Sequence, residues 1–301
     1  MSVIHRIVFD MINKQKSVFD PKHWPDYQKR RENEAGQTSA LKPPKGVEIC
    51  PDTLAGVPVE WVSCEKGSND ILMLYIHGGG FVGGSAEANR VFTGYCAKEW
   101  GWKALAVNYR LAPEHPFPAG LEDCLAVYRE LLKNYDAERI VFCGGSAGGN
   151  LVLALELMAR DQGLPAPAAI LSASPTVQYT DMLDSYTKNL DTDCMVTNLL
   201  EEIRAVYFQS DDPKVWANPY GAPYFGDFTG GCPVVFISSE AEVLWDDTCL
   251  MAEKLRQQGV KTEVISRPGM LHAYAMLPIL PEAKEDLKKV KKILDGWFVF
   301  C

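Results

Sequence analysis

No run of eighteen consecutive apolar residues occurs in the 301-residue chain, so no segment qualifies as a membrane-spanning helix. The nine cysteines include no C-x-x-C pair. The five histidines, His5, His23, His77, His115 and His272, show no H-x-x-x-H spacing, so the usual zinc-holding patterns are missing. An odd number of scattered cysteines, in a chain too large to need disulfide staples, is read as reduced thiols in a cytoplasmic protein. A basic aromatic stripe is lacking too, and the formal net charge is −9, which argues against nucleic acid or an anionic membrane as partner. Residues 1–15 have neither the apolar core nor the small-residue cleavage site of a signal peptide, and read instead as a retained amphipathic helix. What remains, 47% hydrophobic and 23% charged residues, is the composition of a soluble globular protein of one large or two ordinary domains.

The chain is organised around residues 139–160, RIVFCGGSAGGNLVLALELMAR. Ile140 to Cys143 are apolar and β-favouring, Asn150 to Arg160 are good helix formers, and Gly144 to Gly149 must join strand to helix. Gly144-Gly145-Ser146-Ala147-Gly148 fits G-x-S-x-G, a sharp turn that lifts a serine hydroxyl above a sheet. A glycine-rich turn or a phosphate loop would use similar residues. However, the junction has no Walker Gly-Lys-Ser/Thr, and its glycines are misspaced for G-x-G-x-x-G. No cofactor or metal is therefore expected. Cys143, beside the serine, reads as a small buried strand residue.

A second motif, His77-Gly78-Gly79-Gly80-Phe81, follows the apolar run at 71–76. Acyl transfer through a serine needs N–H donors aimed at the developing oxyanion, and bare glycine backbone supplies them; Gly78, Gly79 and Ala147 are the candidates. A serine nucleophile also needs a base oriented by a carboxylate, and in this chain order both follow the serine. His272 is the sole histidine beyond Ser146. For the acid, Glu240, Glu242, Asp246 and Asp247 are all open; Glu242 is favoured and Asp246 is the runner-up, since Asp246 and Asp247 suit the start of a helix.

Strand-like runs at 47–50, 57–64, 71–76, 103–109, 140–143, 168–172, 234–238 and 262–266 mostly alternate with helical patterns. The first two read as an antiparallel entry and the rest as a mostly parallel sheet flanked by helices. The expected domains are a core over 46–301, N-terminal cap helices and linker over 1–45, and a cap insertion at 176–231 containing a helix-like 197–209. The N-terminal helices are read as peripheral to the main core.

With these residues placed, the sequence resembles the bacterial hormone-sensitive-lipase-like carboxylesterases of the α/β-hydrolase superfamily. The motifs that carry the likeness are residues 77–81, the block Tyr109-Arg110-Leu111-Ala112-Pro113-Glu114-His115-Pro116-Phe117-Pro118-Ala119, residues 144–150, and Pro268-Gly269-Met270-Leu271-His272. The resemblance implies an α/β-hydrolase fold with a helical cap, short acyl esters as substrates, and dimerisation through an edge strand. It also implies a triad of Ser146, Glu242 and His272, an oxyanion hole of Gly78, Gly79 and Ala147, and Arg110 and Glu114 as buried or turn-fixing charges. Two positions depart from the family. Gly145 stands where an acidic residue is frequent, implying a looser elbow, and Glu242-Val243 replaces the common Asp-Pro. Activity is expected to fall below about pH 6 as His272 protonates. The alternatives are a deacetylase of acetylated sugars using the same triad, and a ligand receptor on a hydrolase fold.

Overall fold

Leu72, Leu74 and Ile76 belong to one buried apolar cluster while Met73 and Tyr75 belong to another, so a single strand supplies the floor of two cores. The same period of two divides Ile140 and Phe142 from Val141 and Cys143, and Val234 and Phe236 from Val235 and Ile237. These strands are apolar throughout because helices cover both faces of the sheet. The computed structural model describes residues 1–14, 16–38, 42–65, 67, 70–195 and 198–298.

The strands are β1 (Val47–Leu54), β2 (Val57–Cys64), β3 (Leu72–Ile76), β4 (Lys103–Val107), β5 (Ile140–Gly145), β6 (Ala169–Ala173), β7 (Val234–Ser239) and β8 (Thr262–Arg267). They form one sheet in the order β1-β2-β4-β3-β5-β6-β7-β8. β1 pairs with β2, and β2 with β4, antiparallel; every later pairing is parallel. The β1–β2 turn is two residues, Ala55 and Gly56, with φ of 51° and 82°, the doubly positive geometry that matches strand twist. β3, β5, β6 and β7 are buried at every position, whereas β1 and β8, at the edges, are partly exposed.

The helices are α1 (Val3–Asn13), α2 (Tyr27–Thr38), α3 (Arg90–Tyr95), α4 (Ala119–Leu131), α5 (Ala147–Asp161), α6 (Ser185–Lys188), α7 (Leu199–Glu202), α8 (Pro213–Trp216), α9 (Trp245–Gln257) and α10 (Pro281–Asp295). α5 is buried from Ala147 to Ala159, which is why its sequence is apolar on nearly every face. None of the helices of the described residues is long and apolar enough to cross a membrane.

Two expectations change. The helix foreseen at 197–209 is a single α-turn, α7, continued by a wider π-turn over Ile203–Phe208. Its start, Thr197, lies outside the described residues, as do linker residues 39–41 and Cys301. In addition, α1 is not peripheral. His5 is 3% exposed, and the Ser2 hydroxyl donates to Glu282 Oε2 of α10 at 2.9 Å. No local pattern announces such a contact between the two ends of the chain.

Candidate active site

Ser146 sits between β5 and α5 with φ 57° and ψ −122°, a conformation that costs energy for any residue but glycine. Neighbours hold it there: its N–H donates to Ala173 O of β6 at 2.8 Å, and its carbonyl accepts from Asn150 N–H at 3.1 Å. The glycines keep the surrounding backbones close. A Cβ on Gly148 would lie 2.1 Å from Ile76 O, and one on Gly78 would lie 2.7 Å from Gly145 O and 3.2 Å from Ser146 Cβ. The glycine loop therefore runs directly against the serine. Gly145 does not make the elbow looser, as the sequence had implied. A Cβ there would meet Met276 Cγ at 2.9 Å, so the space an acidic side chain would take is filled by methionine.

The glycine loop leaves the end of β3, the neighbour of β5 in the sheet. His77 is buried, with its ring stacked on Tyr109 at 4.3 Å between centroids and its Nδ1 2.7 Å from Gly78 O. Burial depresses its pKa to about 4, so it is a neutral structural group. Phe81 anchors the far end of the loop: its ring stacks on Tyr207 of the insertion at 3.8 Å, and its carbonyl accepts from Ala112 N–H at 2.9 Å. Gly78, Gly79 and Ser146 line one cavity. Ala147 opens α5, where the first N–H groups have no acceptor within the helix.

The four carboxylates that follow β7 are separated by their partners. Glu240 Oε1 accepts from the Ser266 hydroxyl at 2.7 Å, and Asp246 Oδ2 accepts from Ser185 N–H at 2.8 Å. Asp247 accepts from Val177 N–H at 2.8 Å and the Tyr186 hydroxyl at 2.6 Å. Glu242, fully buried, is the one that meets the imidazole: its Oε2 lies 2.8 Å from His272 Nδ1. His272 Nε2 is buried and has no hydrogen-bond partner among the described residues, and His272 lines the same cavity as Ser146. Burial works to lower the His272 pKa, but the hydrogen bond and charge of Glu242, joined by the charge of Asp193, outweigh it and hold the ring above its ordinary value.

Sequence reasoning missed Asp193 and Met276. Asp193, 1% exposed within the insertion, accepts from Val243 N–H at 2.6 Å and so lies against the acid's own backbone. Burial raises its pKa. Neither residue belongs to a motif, and both arrive by packing of distant segments. In the Tyr109–Ala119 block, Arg110 binds Asp123 Oδ1 at 2.8 Å, and Glu114 Oε2 accepts from Arg31 of α2 at 2.8 Å. Both charges are about half exposed, so they are not buried and fix turns from the surface.

The cavity measures about 1050 Å³. Tyr75, Asn89, Gly145 and Met276 line it near the serine, while Lys29, Arg30 and Glu202 line it from α2 and α7. Tyr27 OH donates to Glu202 Oε1 at 3.0 Å, Asn198 Nδ2 to Phe19 O at 3.4 Å, and Lys16 Nζ to Asp193 O at 3.1 Å, so the N-terminal segment and the insertion meet above the strand ends. Among the described residues, no group of three or more His, Cys, Asp and Glu is arranged to hold a metal.

A mostly parallel sheet with covered faces, and a serine raised from the end of a central strand, places the molecule among the α/β hydrolases. A family model described as an alpha/beta hydrolase fold matches residues 73–276. An acetyl-hydrolase of Streptomyces hygroscopicus is 31% identical over 239 residues, spanning 78% of this chain and 79% of its own. The carboxylesterase NlhH of Mycobacterium tuberculosis is 31% identical over 244 residues, spanning 78% and 76%. The crystal structure of an esterase from the bacterial hormone-sensitive lipase family matches with a TM-score of 0.90 at 30% identity, over 99% of both chains. The chain belongs to the α/β-hydrolase family, in its hormone-sensitive-lipase-like group of carboxylic ester hydrolases.

Proposed function

We propose that the chain is a serine carboxylesterase hydrolysing short-chain carboxylic esters through an acyl-serine intermediate. Ser146 is the nucleophile, His272 the general base and Glu242 the orienting acid; the N–H groups of Gly78, Gly79 and Ala147 receive the oxyanion. The observation that carries this reading is the His272 ring, held by Glu242 at Nδ1 while its unpartnered Nε2 shares a cavity with the strained serine. With the Nδ1 proton directed at Glu242, Nε2 is the basic nitrogen. It takes the Ser146 proton as Oγ attacks the ester carbonyl, then returns it to the departing alkoxide. Water repeats the sequence on the acyl-serine and releases the acid.

The short acyl group is favoured by the family likeness; Met276, Tyr75 and Asn89 line the same cavity as Ser146, with Tyr75 OH donating to Asn89 Oδ1 at 2.7 Å. The charged outer wall around Lys29, Arg30 and Glu202 favours a polar alcohol part, which keeps acetylated sugars as a second substrate reading. In this reading residues 1–45 and 176–231 form the cap over a core spanning 46–301. Unpaired cysteines throughout the described residues support a cytoplasmic setting, and the open edge of β8 supports a homodimer.

The test is Ser146→Ala assayed on p-nitrophenyl acetate and butyrate. Turnover and labelling by a fluorophosphonate should both vanish while the circular dichroism spectrum is unchanged. Undiminished turnover would refute the assignment, and turnover lacking in the wild type as well would favour a receptor.

A further inference from the structure

His5 is the buried residue of α1. Val3, Ile4, Ile7 and Met11 of the same helix are 76%, 46%, 62% and 59% exposed, while Val8 and Phe9 pack, partly buried, against the second apolar cluster. In the buried position stands a histidine, which makes one hydrogen bond to the body of the protein. His5 Nε2 accepts from the Leu271 peptide N–H at 3.0 Å. To accept, Nε2 must be unprotonated, so the ring proton is on Nδ1, which is buried without a partner. Burying an unpaired polar atom is unfavourable, and an aliphatic residue would avoid it. What the histidine provides in return is a fixed Leu271 peptide.

That peptide adjoins His272. The loop is tied at Met270 O by the Ser239 hydroxyl at 2.5 Å, and at Ala273 N–H by Ser174 Oγ at 3.2 Å and Glu242 Oε2 at 3.3 Å. His5 supplies the tie between these two. On its other side α1 is fixed to α10 by Ser2 and Glu282, and the Ser2 hydroxyl caps the helix by accepting His5 N–H at 3.1 Å. We infer that His5 is a positioning residue for His272, its Nε2 setting the Leu271 peptide plane and through it the direction in which the imidazole faces Ser146. This rests on the triad proposed above.

Protonation of His5 would turn the acceptor into a donor facing another N–H, and the tie would break. Burial lowers the His5 pKa. The Glu282 carboxylate of α10 opposes that shift, and the Met1 amino group adds to it. On the loop side His272 directly follows Leu271 in the chain, and its pKa is raised. Two protonations on the acid side are thus separated: His272 first, His5 at lower pH.

The experiment compares wild type, His5→Leu and His5→Gln in the full chain with p-nitrophenyl acetate. Gln keeps an oxygen near the Nε2 position that cannot be protonated in this range, and Leu removes the acceptor. Leaving the Leu271 N–H unpaired should lower kcat by about tenfold at pH 8 with KM within about twofold, and Gln should restore most of it. On a plot of log kcat/KM against pH, the wild-type acid limb should steepen from one proton toward two as His5 protonates, and the His5→Gln limb should stay near one. Should His5→Leu not fold, the His5→Gln limb decides alone. An unaltered kcat in folded His5→Leu, or a His5→Gln limb that steepens at the same pH as wild type, overturns the inference. Ser146→Ala assayed alongside separates the two readings. If it is inactive while His5→Leu is normal, only the His5 role fails; if it is active, the triad fails.

Discussion

Every contact of the Glu242 carboxylate is with a donor, and that makes Glu242→Gln a sharp test. Oε1 accepts from Ser239 N–H at 3.1 Å, while Oε2 accepts from His272 Nδ1–H at 2.8 Å and from Ala273 N–H at 3.3 Å. An amide has one acceptor and one donor end, so one set of N–H groups must face its NH2. If the NH2 turns toward Ser239, two buried donors confront each other, at a cost on the order of 1–3 kcal/mol. If it turns toward His272, the ring relieves the conflict by moving its proton from Nδ1 to Nε2, and only the longer Ala273 bond is lost. The second arrangement should dominate. In it Nε2 already carries a proton and cannot take one from Ser146. The same exchange of acid for amide in a serine protease triad lowers turnover about 10⁴-fold. For Glu242→Gln the expected loss in kcat is therefore about 10³- to 10⁴-fold, roughly 4–5.5 kcal/mol of barrier.

The assay is steady-state hydrolysis of p-nitrophenyl butyrate at pH 8, with the rate of fluorophosphonate labelling as a second readout. Asp246→Asn is the companion variant. Asp246 binds Ser185 N–H and no atom of His272, so its kcat should stay within about twofold of wild type. A Glu242→Gln enzyme retaining a tenth of wild-type turnover would refute the reasoning. If Asp246→Asn were the one to collapse, the role of acid would move there.

Further outcomes are expected. Activity requires neutral His272, whose pKa, despite burial, Glu242 raises above the ordinary 6.5, so activity should be half lost at a pH above 6.5 as acid is added, higher than the value near 6 that the sequence had suggested. A kcat/KM profile with its midpoint at pH 6 or below would contradict this. Gly145→Asp restores the acidic residue frequent in the family, but its Cβ would lie 2.9 Å from Met276 Cγ. Displacing Met276 should cost about 1–3 kcal/mol of stability, read as a fall in urea midpoint, and Met276→Ala should recover part of it. An unchanged midpoint in Gly145→Asp would count against that packing.

The strands were legible because each central one is covered on both faces, so its run is mostly apolar and stands out from the flanking polar turns. The elbow was legible because a strained serine between strand and helix admits only small neighbours, as the clash distances at Gly78 and Gly148 show. The choice of acid was not fully legible: four carboxylates lie within eight residues after β7, and only the turn geometry decides which reaches His272. Asp193 and His5 were not legible at all. Each acts across the fold, His5 on a peptide 266 residues away, and no spacing encodes such a contact.

The site is a consequence of sheet order. Gly78 follows β3, Ser146 follows β5, Glu242 follows β7 and His272 follows β8, each just beyond the C-terminal end of a parallel strand. β3 and β5 are neighbours, so the glycine loop and the serine are brought together by one strand spacing, about 5 Å. β6 separates β5 from β7, so serine and acid start about 10 Å apart, a gap suited to an imidazole with a hydrogen bond at each end. The ring comes from the next strand out, β8, which is the partly exposed edge. The general base thus stands on the least supported strand of the four. Its loop needs ties from beyond its own strand, and Ser239 of β7, Glu242 and the His5 side chain of α1 supply them.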